Sequence, residues 1–114
     1  VARIESAQNI KDEARKFNAE QSATHIIATS ETDLISKDIV IVNHAALGEI
    51  SFLMNSDPDC VDLARLPSER VPTLEEDAVW GPDPRDSSVE KGREYTDAFV
   101  TSAQKLIFIT LPKS

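Results

Sequence analysis

The clearest pattern in the chain is a three-and-four spacing of apolar positions near its start. Ile4, Ala7, Ile10, Ala14 and Phe17 fall on one face, with Glu, Lys, Arg and Asn on the other, which predicts an amphipathic helix over about 3–20. The pattern then shortens. Thr24-His25-Ile26-Ile27-Ala28-Thr29 is β-branched and bounded by polar residues, and predicts a first strand. Residues 30–37 are polar apart from Leu34 and Ile35 and read as a loop or one short helical turn. Asp38-Ile39-Val40-Ile41-Val42 predicts a second, buried strand. It stops at Asn43-His44. Beyond it Ala46, Ile50, Leu53 and Met54 return to helical spacing, so a second helix is expected over about 45–56, ended by Asp57-Pro58 because the residue before proline avoids the helical region.

From Pro58 to Pro84 the composition changes, with five of the six prolines in this span. A connection this long is usually functional or docked on a neighbour. We expect one ordered excursion, because Val61, Leu63, Leu66, Val71, Leu74, Val79 and Trp80 need burial. Ser87-Ser88-Val89-Glu90 fits a capping box, so a last helix opens here and runs through Phe99, Val100 and Ala103. Gly92 inside it costs about 1 kcal/mol relative to alanine, which points to close packing against another backbone. The tail Leu106-Ile107-Phe108-Ile109-Thr110-Leu111 reads as a strand or an extended end, stopped by Pro112.

Charge narrows the partners. The net charge is −8 and only 5% of residues are aromatic, so neither nucleic acid nor an anionic membrane surface is an expected partner. Cys60 is the only cysteine, so no intrachain disulfide can form and a reducing, cytoplasmic setting is expected. No segment approaches the roughly 18 apolar residues of a membrane helix.

Candidate chemistry gathers where the second strand ends, the place where open α/β sheets collect their sites. His44 and Glu49 are the leading catalytic pair, the glutamate lying in the first turn of a helix where its charge favours the dipole. The plainer readings are a turn histidine held by a backbone carbonyl and a helix-terminal carboxylate. His25 opens a strand and is a weak ligand candidate. Cys60 is expected as a small buried hydrophobe. Glu75-Glu76-Asp77 lacks the alternating oxygens and turn glycine of a calcium loop and reads as a solvated face. Trp80, in Trp-Gly-Pro, is the candidate substrate-binding aromatic, or else a partner contact or an anchor for the excursion. Phosphate-loop, dinucleotide, paired-cysteine and nucleophile-elbow motifs are absent.

Three segments in order carry a resemblance. His44-Ala45-Ala46-Leu47-Gly48-Glu49-Ile50-Ser51 resembles the His-Ala-Gly-x-x-Glu-Thr-Ser signature of the creatininase (creatinine amidohydrolase) family. Phe52-Leu53-Met54 through Asp57-Pro58-Asp59-Cys60-Val61-Asp62-Leu63 is similar to the stretch that follows it, and Asp83-Pro84-Arg85-Asp86-Ser87-Ser88-Val89-Glu90-Lys91-Gly92-Arg93-Glu94 to the segment before the final helix. The resemblance implies an α/β fold with a parallel sheet in a three-layer arrangement, of which this chain is the C-terminal part. It implies hydrolysis of a C–N bond in a small, often cyclic, amide by a homo-oligomeric enzyme, often a hexamer, using divalent zinc or manganese. His44 then matches the family's proton-transfer histidine and Glu49 the glutamate lining the same pocket. The family's metal motifs, Glu-x-His-Gly and Asn-Gly-His, do not occur here, so the chain is expected to be a C-terminal subunit, a cleavage product or a fragment of such an enzyme, with the metal ligands mostly outside it on another chain. Ala46 stands where glycine is usual, and Ile50 where threonine is usual. The alternative from another class is a non-catalytic regulatory or interaction module that keeps the packing and uses the excursion and acidic surface for protein contact.

Overall fold

A computed structural model describes residues 2–36 and 43–111, without the side chains of 2–4. It is mostly helical, and no sheet forms among the described residues. This overturns the parallel-sheet α/β expectation. The chain divides into two units, residues 1–34 and 35–114.

In the first unit α1 spans Ala2–Glu20 and α2 spans Glu31–Leu34. The expected helix forms, its polar face laced by Gln8–Asp12, Arg15–Asp12 and Lys16–Glu13 contacts at the three- and four-residue spacing. Ala14 on the apolar face is buried, whereas Ile10 is 63% exposed. The predicted strand at 24–29 is irregular instead. The reason lies in Asn18. Its side-chain amide donates to the Ile26 carbonyl at 2.9 Å and accepts from the Ile26 N–H at 2.8 Å, so a helix side chain supplies both bonds that a neighbouring strand would have made. The segment ends where Asp33 accepts from the Ser30 N–H at 3.0 Å and pairs with Lys11 on α1. Those partners, Lys11 first, hold the Asp33 carboxyl down to about 2. The expected second strand, 38–42, lies outside the described residues.

In the second unit the main packing pair is α3, Leu47–Ser56, against α5, Val89–Thr110. Helix α3 starts two residues later than its periodicity suggests and ends as expected, with the Asp57 N–H closing on the Leu53 carbonyl before Pro58. Helix α5 is capped by Ser88, whose hydroxyl accepts from the Lys91 N–H at 3.1 Å. Ser87 has a different task from the capping box predicted for it and donates to the Leu47 carbonyl at 3.2 Å. Gly92 meets the backbone of α3 directly. A Cβ there would lie 1.9 Å from the Ser51 carbonyl oxygen. Around that contact Asn55 donates to Thr96 at 3.2 Å, and the Phe52 and Tyr95 rings sit 5.6 Å apart at 51°.

The tail expected as strand or extended end instead continues α5 to Thr110. Once a helix exists, each added residue gains a hydrogen bond without a new nucleus, whereas a strand needs a neighbour. The cost is exposure: Ile107, Phe108 and Ile109 are 50%, 84% and 79% exposed.

The excursion is a chain of short turns. Short 3₁₀ turns occupy Pro58–Cys60, Leu63–Arg65 and Pro84–Asp86, and α4 spans Leu74–Asp77 under a Thr73 cap. Of the apolar residues expected inside, Val79 is buried, Val61, Leu63 and Leu66 are half-buried, and Val71, Leu74 and Trp80 remain exposed. Arg85 ties the end of the excursion to its middle. It grips Asp83 through Nε and Nη2 while Nη1 donates to the Pro67 carbonyl at 3.1 Å.

Candidate functional site

The site is built where the excursion returns to the start of α3. His44 and Trp80 exchange both backbone hydrogen bonds, His44 N–H to Trp80 carbonyl at 2.8 Å and the reverse at 2.9 Å. In such an antiparallel pair the two side chains leave the backbone on the same side, so imidazole and indole share one face. Leu47 N–H then donates to the Pro82 carbonyl at 3.1 Å, extending the seam by one residue of α3.

Ala45 turns the chain. Its φ of 50° lies in the left-handed region, which is costly for an alanine, and the turn swings the following helix back toward the histidine. The Glu49 carboxylate accepts from the Ala45 N–H at 2.8 Å and stands 3.7 Å from His44 Nδ1. Both side chains are about half exposed, His44 at 54% and Glu49 at 44%. Trp80 is 55% exposed. The three residues singled out from the sequence therefore converge on one accessible corner. A carboxylate facing Nδ1 leaves Nε2 as the imidazole atom that can exchange a proton with a bound molecule.

Two residues in this corner were not singled out by sequence reasoning. Asn43 is 4% exposed, and its side-chain oxygen accepts from the Glu49 N–H at 3.3 Å. Together with the Glu49 bond to Ala45, this is an enlarged capping box. One side chain takes the third free N–H of the helix, and the residue carrying that N–H reaches back to the loop. The signal was present as an Asn just ahead of a helix with a Glu in its first turn, but the intervening residues exceeded the usual spacing. Gly81 has φ of +129°, and a Cβ on it would lie 2.5 Å from Asn43 Cβ and 3.1 Å from Ala46 Cβ. Ala46, where the resembled family has glycine, is fully buried.

His25 is exposed in the first unit. Cys60 is exposed, contrary to the expected buried role, and its thiol donates to Asp57 at 3.1 Å. That hydrogen bond, followed by the nearby negative charge, pushes the thiol up and so suppresses the thiolate. Glu75 and Glu76 are exposed as expected, while Asp77 is drawn in by Arg70 at 2.6 Å and by the Thr73 N–H at 2.9 Å.

A divalent metal needs at least three protein donors in most sites. His44 and Glu49 supply two, and among the described residues no group of three His, Cys, Asp or Glu side chains could hold an ion. The residues described here do not fit a metal site on their own. No described helix is long and apolar enough to cross a membrane. No family model matches the chain, and no curated protein or solved structure is similar enough to be matched to it.

Proposed function

We propose that this chain contributes the proton-transfer corner of a metal-dependent amidohydrolase of the creatinine-amidohydrolase type, acting on a C–N bond of a small amide. The metal ligands belong to another chain. The observation that carries this reading is the convergence of His44 and Glu49 at 3.7 Å on an accessible face beside Trp80. It is supported by the order of the three sequence segments that resemble the family.

The chemistry assigned to this chain is limited to its own side chains. The protonated His44 imidazole gives a proton from Nε2 to the departing nitrogen, which would otherwise leave as a poor amide anion. The Glu49 carboxylate faces the other ring nitrogen and orients the ring for the transfer. Its hydrogen bond from Ala45 keeps it in that position. The Trp80 indole, on the same side of the pair, offers a flat apolar wall to a small ring.

In the assembled protein His44→Ala lowers turnover by about 10²–10⁴-fold, the loss typical of a general acid, with metal content kept. Unchanged turnover refutes the role. A second reading, a non-catalytic interaction module, is favoured by one observation: the apolar end of α5, where Phe108 is 84% exposed. Mass spectrometry of the co-purified complex separates the two. A second polypeptide carrying the missing histidine motifs supports the hydrolase, and its absence supports the module.

A further inference from the structure

His44 and Glu49 sit on different pieces of backbone, one paired with the excursion and the other in the first turn of α3. The Ala45 N–H bond holds the tip of the carboxylate beside the histidine, but it does not fix the backbone that carries it. Two hidden residues do so. Asn43, immediately before the histidine, holds the Glu49 N–H through its buried side-chain oxygen at 3.3 Å. Gly81, immediately after Trp80, packs its bare α-carbon against Asn43 and Ala46 so closely that a methyl group would collide at 2.5 Å. A single amide thus ties the residue before His44 to the residue that carries the carboxylate. The absent side chain at Gly81 lets the His44–Trp80 seam close over that amide.

We propose that Asn43 and Gly81 are positioning residues of the His44–Glu49 pair, setting the imidazole against the carboxylate without facing the bound molecule themselves. The inference rests on the proton-transfer reading above and deepens it. Side-chain oxygens ahead of a helix commonly stabilise the helix alone. Here the same oxygen also fixes the register of the residue on which the pair depends, so its loss must appear in the coupling between the two side chains as well as in stability.

The test reads that coupling directly in the full chain, without an activity assay. The ring ¹⁵N shifts of His44 are recorded at one pH in long-range ¹H–¹⁵N spectra, with His25→Gln used to assign the two imidazoles, and the response to Glu49→Gln is measured. The expected result is a clear response in the native background, its loss in Asn43→Ala, and its retention in Asn43→Asp, which keeps an acceptor oxygen at the same reach. Gly81→Ala is the second variant and loses the response as well, and it decides the matter where Asn43→Ala does not fold. A response that persists in a folded Asn43→Ala or Gly81→Ala protein overturns the positioning role and leaves the His44–Glu49 pair standing. A native chain whose His44 shifts ignore Glu49→Gln overturns the pair itself, and with it both readings.

Discussion

Replacing Gly92 by alanine sets two physical effects against each other, and the structure decides between them. By helix propensity alone the change stabilises α5 by about 1 kcal/mol, since alanine loses less backbone freedom than glycine. The new methyl, however, would lie 1.9 Å from the Ser51 carbonyl oxygen and 2.6 Å from its carbon, both of them backbone atoms in the middle of α3 that no side-chain rotation can move aside. Restoring an ordinary 3.4 Å contact parts the helices by about 1.5 Å. Overpacking of this kind costs about 1–3 kcal/mol. Separation also strains the Ser88-to-Ser51 and Asn55-to-Thr96 hydrogen bonds, each worth about 1 kcal/mol net. The balance is a loss of about 2–4 kcal/mol. Urea unfolding followed by circular dichroism reads it as a midpoint lowered by about 1–2 M, given the slopes usual for small proteins. Glu94→Ala, on the exposed face of the same helix, is the control and moves the midpoint little. A midpoint that rises in Gly92→Ala, as propensity alone requires, refutes the close crossing.

Further expected outcomes follow from single residues. Ala78 closes α4 with φ of 57°, its N–H donating to the Leu74 carbonyl while the Val79 N–H reaches back to the Thr73 carbonyl, so Ala78→Gly relieves the left-handed strain and raises the melting temperature by a few degrees, worth up to about 1 kcal/mol; no gain would place the strain elsewhere. Arg85 holds the Asp83 carboxyl below the usual carboxylate range, chiefly by its hydrogen bonds. A depressed native value means that this stabilisation is complete above the unfolded carboxylate range and fades as pH falls through the native value. Urea midpoints of the native chain and Asp83→Asn should therefore differ at neutral pH and converge below about pH 4. A constant gap would mean that Asp83 does not act as a carboxylate. Asp33, held down to about 2 chiefly by Lys11, predicts a similar acid release in the first unit. Amide exchange at Ser30 should rise only at pH values below the ordinary aspartate range.

The corner was legible in part. A histidine at the end of an apolar run and a glutamate in the next helical turn were visible as types and spacings, and the structure brings them to 3.7 Å. Trp80, 36 positions away in the chain, was visible only as an unusual residue in a proline turn, and its pairing with His44 depends on how the excursion folds back. Asn43 and Gly81 were visible only as neighbours of His44 and Trp80, with no role assigned. Their importance comes from a contact between segments, and neither composition nor periodicity records which backbone will approach which.

The sequence by itself determined the local events. Periodicity placed α1 and α3, proline ended α3, serine opened α5, and a lone glycine marked the helix crossing, because each of these rests on dihedral preference or spacing within a few residues. Where apolar β-branched runs were concerned, the tertiary structure decided. Residues 24–29 and 106–111 have strand-like compositions, yet one is bracketed by the Asn18 side chain and the other is carried on as helix. A strand is completed only by a partner, and the identity of that partner is a property of the whole fold.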